Sequence, residues 1–307
     1  MGYRQAMNML MPGPEKAGAG LFRPDTPLPQ IVVISSARGW RTRLAAAAQD
    51  FHETLRLWPL IWALSLFDIR LRYRGSLLGP FWLTLSTGVM IGAIGFVYAR
   101  LFHQDVGAYL PFLAVSLVLW NFLNTVTGEG ATCFTQSEGM VRAMRMPHAL
   151  HAARVVVRNF LVLAHNILPI LIVFAVFPPH WSWPVLSLPA ALLLWMADCF
   201  AVALLLGVIG ARFRDVPPIV GSIMQIAFYL TPIMWSPEML THRGLGLSLI
   251  LIEMNPFYGM LEILRAPLLG QALNSLAWIN ALAYSALLMG LAFLAFARTR
   301  QRIPYWI

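Results

Sequence analysis

The sequence predicts an all-α integral membrane protein, with six transmembrane helices, an interfacial amphipathic helix before them, and two short re-entrant external helices between the fifth and sixth. Three observations carry this. Of 307 residues, 59% are hydrophobic and only 11% charged, whereas a soluble domain carries about 25% charged residues. Six apolar stretches match, or nearly match, the roughly 30 Å of bilayer hydrocarbon. All but three of the 22 Lys and Arg residues lie in segments 1–80, 132–158, 211–218 and 298–307. Alternating spans put those four segments on one side, so the positive-inside rule places both termini in the cytoplasm. Arg100, Arg243 and Arg265 fall outside or at the outer edge. The net charge of +9 is therefore a matter of topology, and nucleic acid is not an expected partner. Cys133 and Cys199 are isolated, with neither a disulfide framework nor metal-ligand spacing.

Residues 1–50 read as a disordered cytoplasmic tail, broken by Pro12, Pro14, Pro24, Pro27 and Pro29, with one or two helical turns within 44–49. The apolar run 31–34 is too short for a signal peptide core. Residues 51–75 differ. Trp58, Trp62 and Phe67 alternate with leucines, while Asp68, Arg70, Arg72 and Arg74 close the segment. It is too polar to span, and two readings fit: a helix in the cytoplasmic interface, or a helix packed on another domain. Pro59 bends it or caps its start.

Residues 76–300 form the six-helix domain. Its spans are 81–101, 109–131, 160–177, 185–210, 219–235 and 276–297. The fifth is thin: about 17 residues, or roughly 26 Å of helix, interrupted near its far end by Pro232. Short, broken spans line pathways more often than they face lipid. The cytoplasmic loop 132–158 mixes Met140, Arg142, Arg145, Met146 and His148 around Pro147, a composition suited to a docking partner or to a solvated loop. The external segment 237–275 is long but apolar. It holds one short helix over 245–254 and a second that starts at Asn255-Pro256, an N-cap followed by proline at the first helical position, and closes near Gly270. These helices either gate a path or form a plain external cap. Residues 301–307 are a cytoplasmic tail.

No catalytic constellation is visible. The single lysine, Lys16, lies in the tail, so no G-x-x-x-x-G-K-[ST] loop exists, and H-E-x-x-H and G-x-S-x-G are absent. The chain is not expected to be an enzyme, nor to bind a cofactor or metal. Asp198 is the one acid well inside a span, and His165 lies beside Asn166. Each is either functional or a hydrogen-bonding link between helices. Trp82, Tyr98, Phe228, Tyr229 and Trp235 sit toward span ends, as interface belts or as stacking surfaces for sugar rings.

Three blocks resemble the permease subunits of bacterial ABC transporters that export polysaccharide: O-antigen, capsule or teichoic acid. They are Asp68 through Arg72-Tyr73, Ser76, Gly79 and Trp82; Arg214-Asp215 through Thr231-Pro232-Ile233; and Asn255-Pro256-Phe257 through Arg265 and Gly270. The resemblance spans roughly residues 55–300. Phe67 stands where the family commonly has arginine, and Ser86-Thr87 where it often has proline.

The resemblance implies a homodimer in the bacterial inner membrane around a wide channel lined by the first and fifth spans. It implies a separate ATPase that uses ATP and Mg, and a lipid-linked glycan as substrate. Its coupling contacts would be a helix around 142–150, including Met140, Arg142, Arg145, Met146, Pro147 and His148, together with Asp68 and Arg72 on the interfacial helix. Its gate would hold Pro232, Asn255, Pro256, Phe257, Tyr258 and Arg265. Two other readings remain: an ABC exporter of small molecules, and a membrane-embedded glycosyl- or acyltransferase, which would need an acid or histidine constellation at one interface.

Overall fold

A computed structural model describes residues 39–79, 81–101, 104–237 and 252–307. All regular structure among them is helical: α1 (Trp40–Arg56), α2 (Trp58–Arg72), α3 (Phe81–Leu101), α4 (Val106–Ala131), the short α5 (Glu138–Ala143), α6 (Ala149–Asn166), α7 (Leu168–Val176), α8 (Leu188–Arg212), α9 (Val216–Leu230), α10 (Pro256–Leu268), α11 (Ser275–Thr299) and α12 (Ile303–Trp306). Five stretches are long and apolar enough to cross a membrane: α3, α4, α6 with α7, α8 with its leading turn, and α11 with the residues after it.

Local chemistry sets the helix ends. Asp105, Asn255 and Asn274 cap α4, α10 and α11, accepting from the amides of Ala108, Phe257 and Ala277. Proline sits in the first turn of α2, α7, α8, α9 and α10, where its missing N–H costs nothing. Between α6 and α7, Pro169 leaves the His165 carbonyl without a helical donor. The Thr84 hydroxyl lies 3.4 Å from that oxygen and 3.1 Å from Asn166 Oδ1. The His165 carbonyl and the Asn166 side chain thus meet α3 at this junction.

Helix α4 is the hub, packed by α3, α6, α7, α8, α9 and α10. It is the most enclosed of the long apolar helices. Against α8 it meets backbone to backbone. A Cβ on Gly130 would lie 2.7 Å from Ala203 Cα, and one on Gly210 would lie 2.0 Å from the Ala131 carbonyl oxygen. Phe122 stacks on Trp195 with ring centres 5.6 Å apart. Asp198 accepts from Ser285 at 2.6 Å and joins α8 to α11.

Four sequence expectations change. The tail boundary at residue 50 is too late: α1 begins at Trp40, and Ala47 and Asp50 are fully buried. Residues 1–38 lie outside the described residues. The segment 51–75 is not one helix; it divides at Leu57, where Pro59 starts α2. The loop 132–158 is largely helical, because α6 begins at Ala149 rather than 160, and its isolated short helix is α5, not 142–150. The fifth apolar helix, α9, has 15 residues and ends at Leu230. Thr231 precedes Pro232 and is therefore pushed into extended backbone, at φ −94° and ψ 137°. The expected helix over 245–254 falls mainly outside the described residues.

Candidate functional site: a buried ion network and an outer arginine knot

Asp68 and Arg72 lie one turn apart on α2 and face two arginines one turn apart on α6. Arg154 holds Asp68 with two nitrogens, Nε at 2.7 Å from Oδ2 and Nη2 on Oδ1. Arg158 bridges Asp68 Oδ2 at 2.8 Å and Glu129 Oε2 at 2.6 Å. Asn159 donates to the same Glu129 oxygen at 2.6 Å, and Arg72 reaches Glu129 Oε1 at 2.5 Å. Ser65 donates to the Arg154 carbonyl at 3.1 Å. The network ties α2 to α6 and to the end of α4. Burial would raise the Asp68 pKa, but the guanidiniums of Arg154 and Arg158 outweigh it and hold the carboxyl below its ordinary value.

Helix α5 and the segment that joins it to α6 lie beside this network. Arg154 Nη1 is 3.8 Å from Met140 Sδ. Met146 packs on Ile61, Leu150 and Val157. Arg142 pairs with Glu138 at 2.9 Å and donates to the Ile307 carbonyl. Pro147 is buried, whereas Arg145 is exposed. Asp50 from α1 accepts from the amides of His148 (3.2 Å) and Ala149 (2.9 Å), capping α6, and from Arg300 Nε at 2.6 Å.

Burial lowers the His148 pKa from 6.5, more than the nearby Asp50 raises it. Protonating this ring costs more in the fold than in the unfolded chain. Its contribution is therefore complete above pH 6.5 and is lost as pH falls through its lowered pKa. Thermal melts of the protein in detergent should show stability declining below about pH 6.5, and His148→Gln should make that decline shallower.

At the other end of α4, Arg265 is 2% exposed. Its guanidinium donates to Glu262 Oε2 (Nε at 3.0 Å, Nη2 at 2.5 Å), to the Pro232 carbonyl at 2.6 Å and to the Ser116 hydroxyl at 3.1 Å. It lies 4.5 Å from the Phe112 ring centre and 5.8 Å from that of Tyr258. Asn255 donates to Thr231 Oγ1 at 3.0 Å while capping α10. Phe257 meets Trp120 edge-on at 5.5 Å, and Pro256 is exposed. Pro232, Asn255, Tyr258 and Arg265 therefore converge. Gly270, at φ +73° with the His180 carbonyl 2.2 Å from where a Cβ would lie, turns the chain after α10.

The aromatics do not gather. Trp82 and Tyr98 lie at opposite ends of α3, roughly 24 Å apart along the helix; Trp82 is exposed and Tyr98 half-buried. Phe228 packs 5.9 Å from Trp120, Tyr229 is exposed beside it, and Trp235 is half-buried.

Sequence reasoning missed Glu129, Arg154, Arg158, Asn159, Asp50 and Arg300. The four-residue spacing of Arg154 and Arg158 was the available signal.

Residues 59–269 match the ABC-2 type transporter family. The chain is 24% identical over 200 residues, 65% of its length and 76% of the relative's, to the O-antigen export system permease protein RfbA of Myxococcus xanthus. It is 22% identical over 221 residues, 71% of its length and 83% of the relative's, to a protein of the same name from Klebsiella pneumoniae. With well over half of its length matched, the chain belongs to the ABC-2 type transporter family, whose members are membrane subunits of transporters powered by a separate ATPase subunit.

Proposed function

We propose that this chain is the permease of an exporter that moves a lipid-linked polysaccharide, O-antigen-like or capsular, across the bacterial inner membrane. Two copies would enclose the channel, each contributing six spans with α9 as the thin fifth, and both termini would be cytoplasmic. The single observation behind the reading is the set of O-antigen export permeases to which the chain is similar over most of its length.

In this mechanism, ATP and Mg are used by the partner subunit, which seats α5 and the segment 144–148 in a cleft. Met140, Arg142, Arg145, Met146, Pro147 and His148 supply that contact. Asp68 and Arg72 pass the displacement from α2 through Arg154, Arg158 and Glu129 into α6 and α4. At the outer end, Pro232, Asn255, Pro256, Phe257, Tyr258 and Arg265 form the gate. The exposed faces of α3 and α9, with Trp82, Tyr98, Phe228, Tyr229 and Trp235, line the path, where aromatic planes pack on sugar C–H faces.

The test is a deletion strain. It should accumulate finished lipid-linked glycan in the cytoplasmic leaflet and lose it from the surface, with both restored by the gene. Normal surface glycan in the deletion, or ATP hydrolysis by the purified chain alone, overturns the reading.

A further inference from the structure

A cavity of about 320 Å³ opens between α3, α4 and α6. Its walls belong to helices long and apolar enough to cross a membrane, yet polar side chains are interleaved with the apolar ones along its lining. Asn121, Asn124 and Thr125 come from α4, Asn159 and Asn166 from α6, and Arg72 stands at its rim. Asn121 and Asn124 give no side-chain amide to a neighbour among the described residues. A carboxamide both donates and accepts, which suits an alcohol-rich ligand better than a hydrocarbon or a metal. Asn121 is half-buried and Asn124 exposed, so both amides are open to a ligand.

The ion network that adjoins the cavity through Arg72 and Asn159 carries excess positive charge. Arg72, Arg154 and Arg158 face only Asp68 and Glu129. The Arg158 Nε–H is buried and lacks a partner among the described residues. Arg72 and Asn159 belong both to this ion network and to the cavity lining. An anion bound at the rim would balance the extra guanidinium, and arginine forks match phosphate oxygens.

We propose that this cavity is a binding site for a phosphorylated sugar carried on a lipid, with its phosphate at Arg72 and its hydroxyls on the carboxamides of Asn121 and Asn124. The inference rests on the export reading and assigns the sugar–phosphate end of that substrate a place within one protomer. A lipid-borne ligand can reach the cavity from within the bilayer, because α3, which forms one wall, exposes Leu83 and Met90.

The experiment uses the full chain with its ATPase subunit in nanodiscs of phosphatidylethanolamine and phosphatidylglycerol. The probe is a short-chain polyprenyl diphosphoryl N-acetylglucosamine, its binding read by native mass spectrometry. Saturable binding is expected, weakened at least tenfold by Asn121→Leu with Asn124→Leu and largely kept by the corresponding glutamine pair. Unchanged ATPase co-purification shows that the variants fold. If the wild-type chain binds the probe and the leucine pair binds it equally, the cavity assignment is wrong while the export reading stands. If the wild-type chain does not bind it, the cavity assignment fails, while the export reading is decided separately by the deletion strain. Equal binding of water-soluble N-acetylglucosamine 1-phosphate, or displacement of the probe by phosphatidylglycerol alone, overturns the lipid-borne sugar as ligand.

Discussion

Asp68→Ala is expected to cost roughly 3–5 kcal/mol, because removing one partner leaves buried charge uncompensated. Asp68 is held by both Arg154 and Arg158, and all three side chains are at most 15% exposed. Without it, Arg154 keeps a thioether contact with Met140, and Arg158 keeps Glu129. The drop should appear as a melting temperature lower by about 10 °C in detergent, with glycan export lost. Asp68→Asn preserves shape and one acceptor, so a smaller loss is expected. An alanine variant that melts within a degree or two of wild type would show that the network contributes nothing to holding α2 on α6. Acid should mimic the substitution only weakly. The Asp68 pKa lies below its ordinary 3.8, so the contribution is complete above that pH and is lost only as pH falls further.

The second large effect belongs to Arg265. Arg265→Ala removes the donor for the Pro232 carbonyl and the Ser116 hydroxyl and strands the Glu262 carboxylate. The expected cost is again about 3–5 kcal/mol. Arg265→Lys is the sharper test. A lysine keeps the charge, but its single ammonium cannot span Glu262, Pro232 and Ser116 together. The lysine variant should fold and co-purify with the ATPase subunit while surface glycan falls at least tenfold. Export at the wild-type level from Arg265→Lys would show that charge alone suffices and that the fork does not organise the outer end.

The parts legible in the sequence are those set by local chemistry. Apolar length marked five stretches able to cross a membrane, Asn255-Pro256 marked the start of α10, and Pro232 marked the end of α9. Spaced blocks pointed to Asp68, Arg72 and Arg265. What could not be read depends on partners far away in the chain. Arg154 and Arg158 make 149–159 look like a solvated loop; only Asp68 and Glu129, brought in by other helices, let that segment stay helical and buried. Likewise, the alanine-rich stretch ahead of Asp50 has little hydropathy of its own. It is fixed because Asp50 meets Arg300, 250 residues later, and caps α6. Hydropathy windows judge a charge by its own segment, whereas its cost is decided by what neutralises it.

The glycine contacts between α4 and α8 have a mechanical consequence. Where Gly130 meets Ala203 and Gly210 meets the Ala131 carbonyl, the contact is made by backbone and the Ala203 methyl, so there is little between the helices to compress or re-sort. The pair is expected to tilt as one beam. That beam carries Glu129 near one end and Ser116, which receives Arg265, about 20 Å along it. In the proposed mechanism, a push on the ion network tilts this beam and swings its far end at the arginine knot.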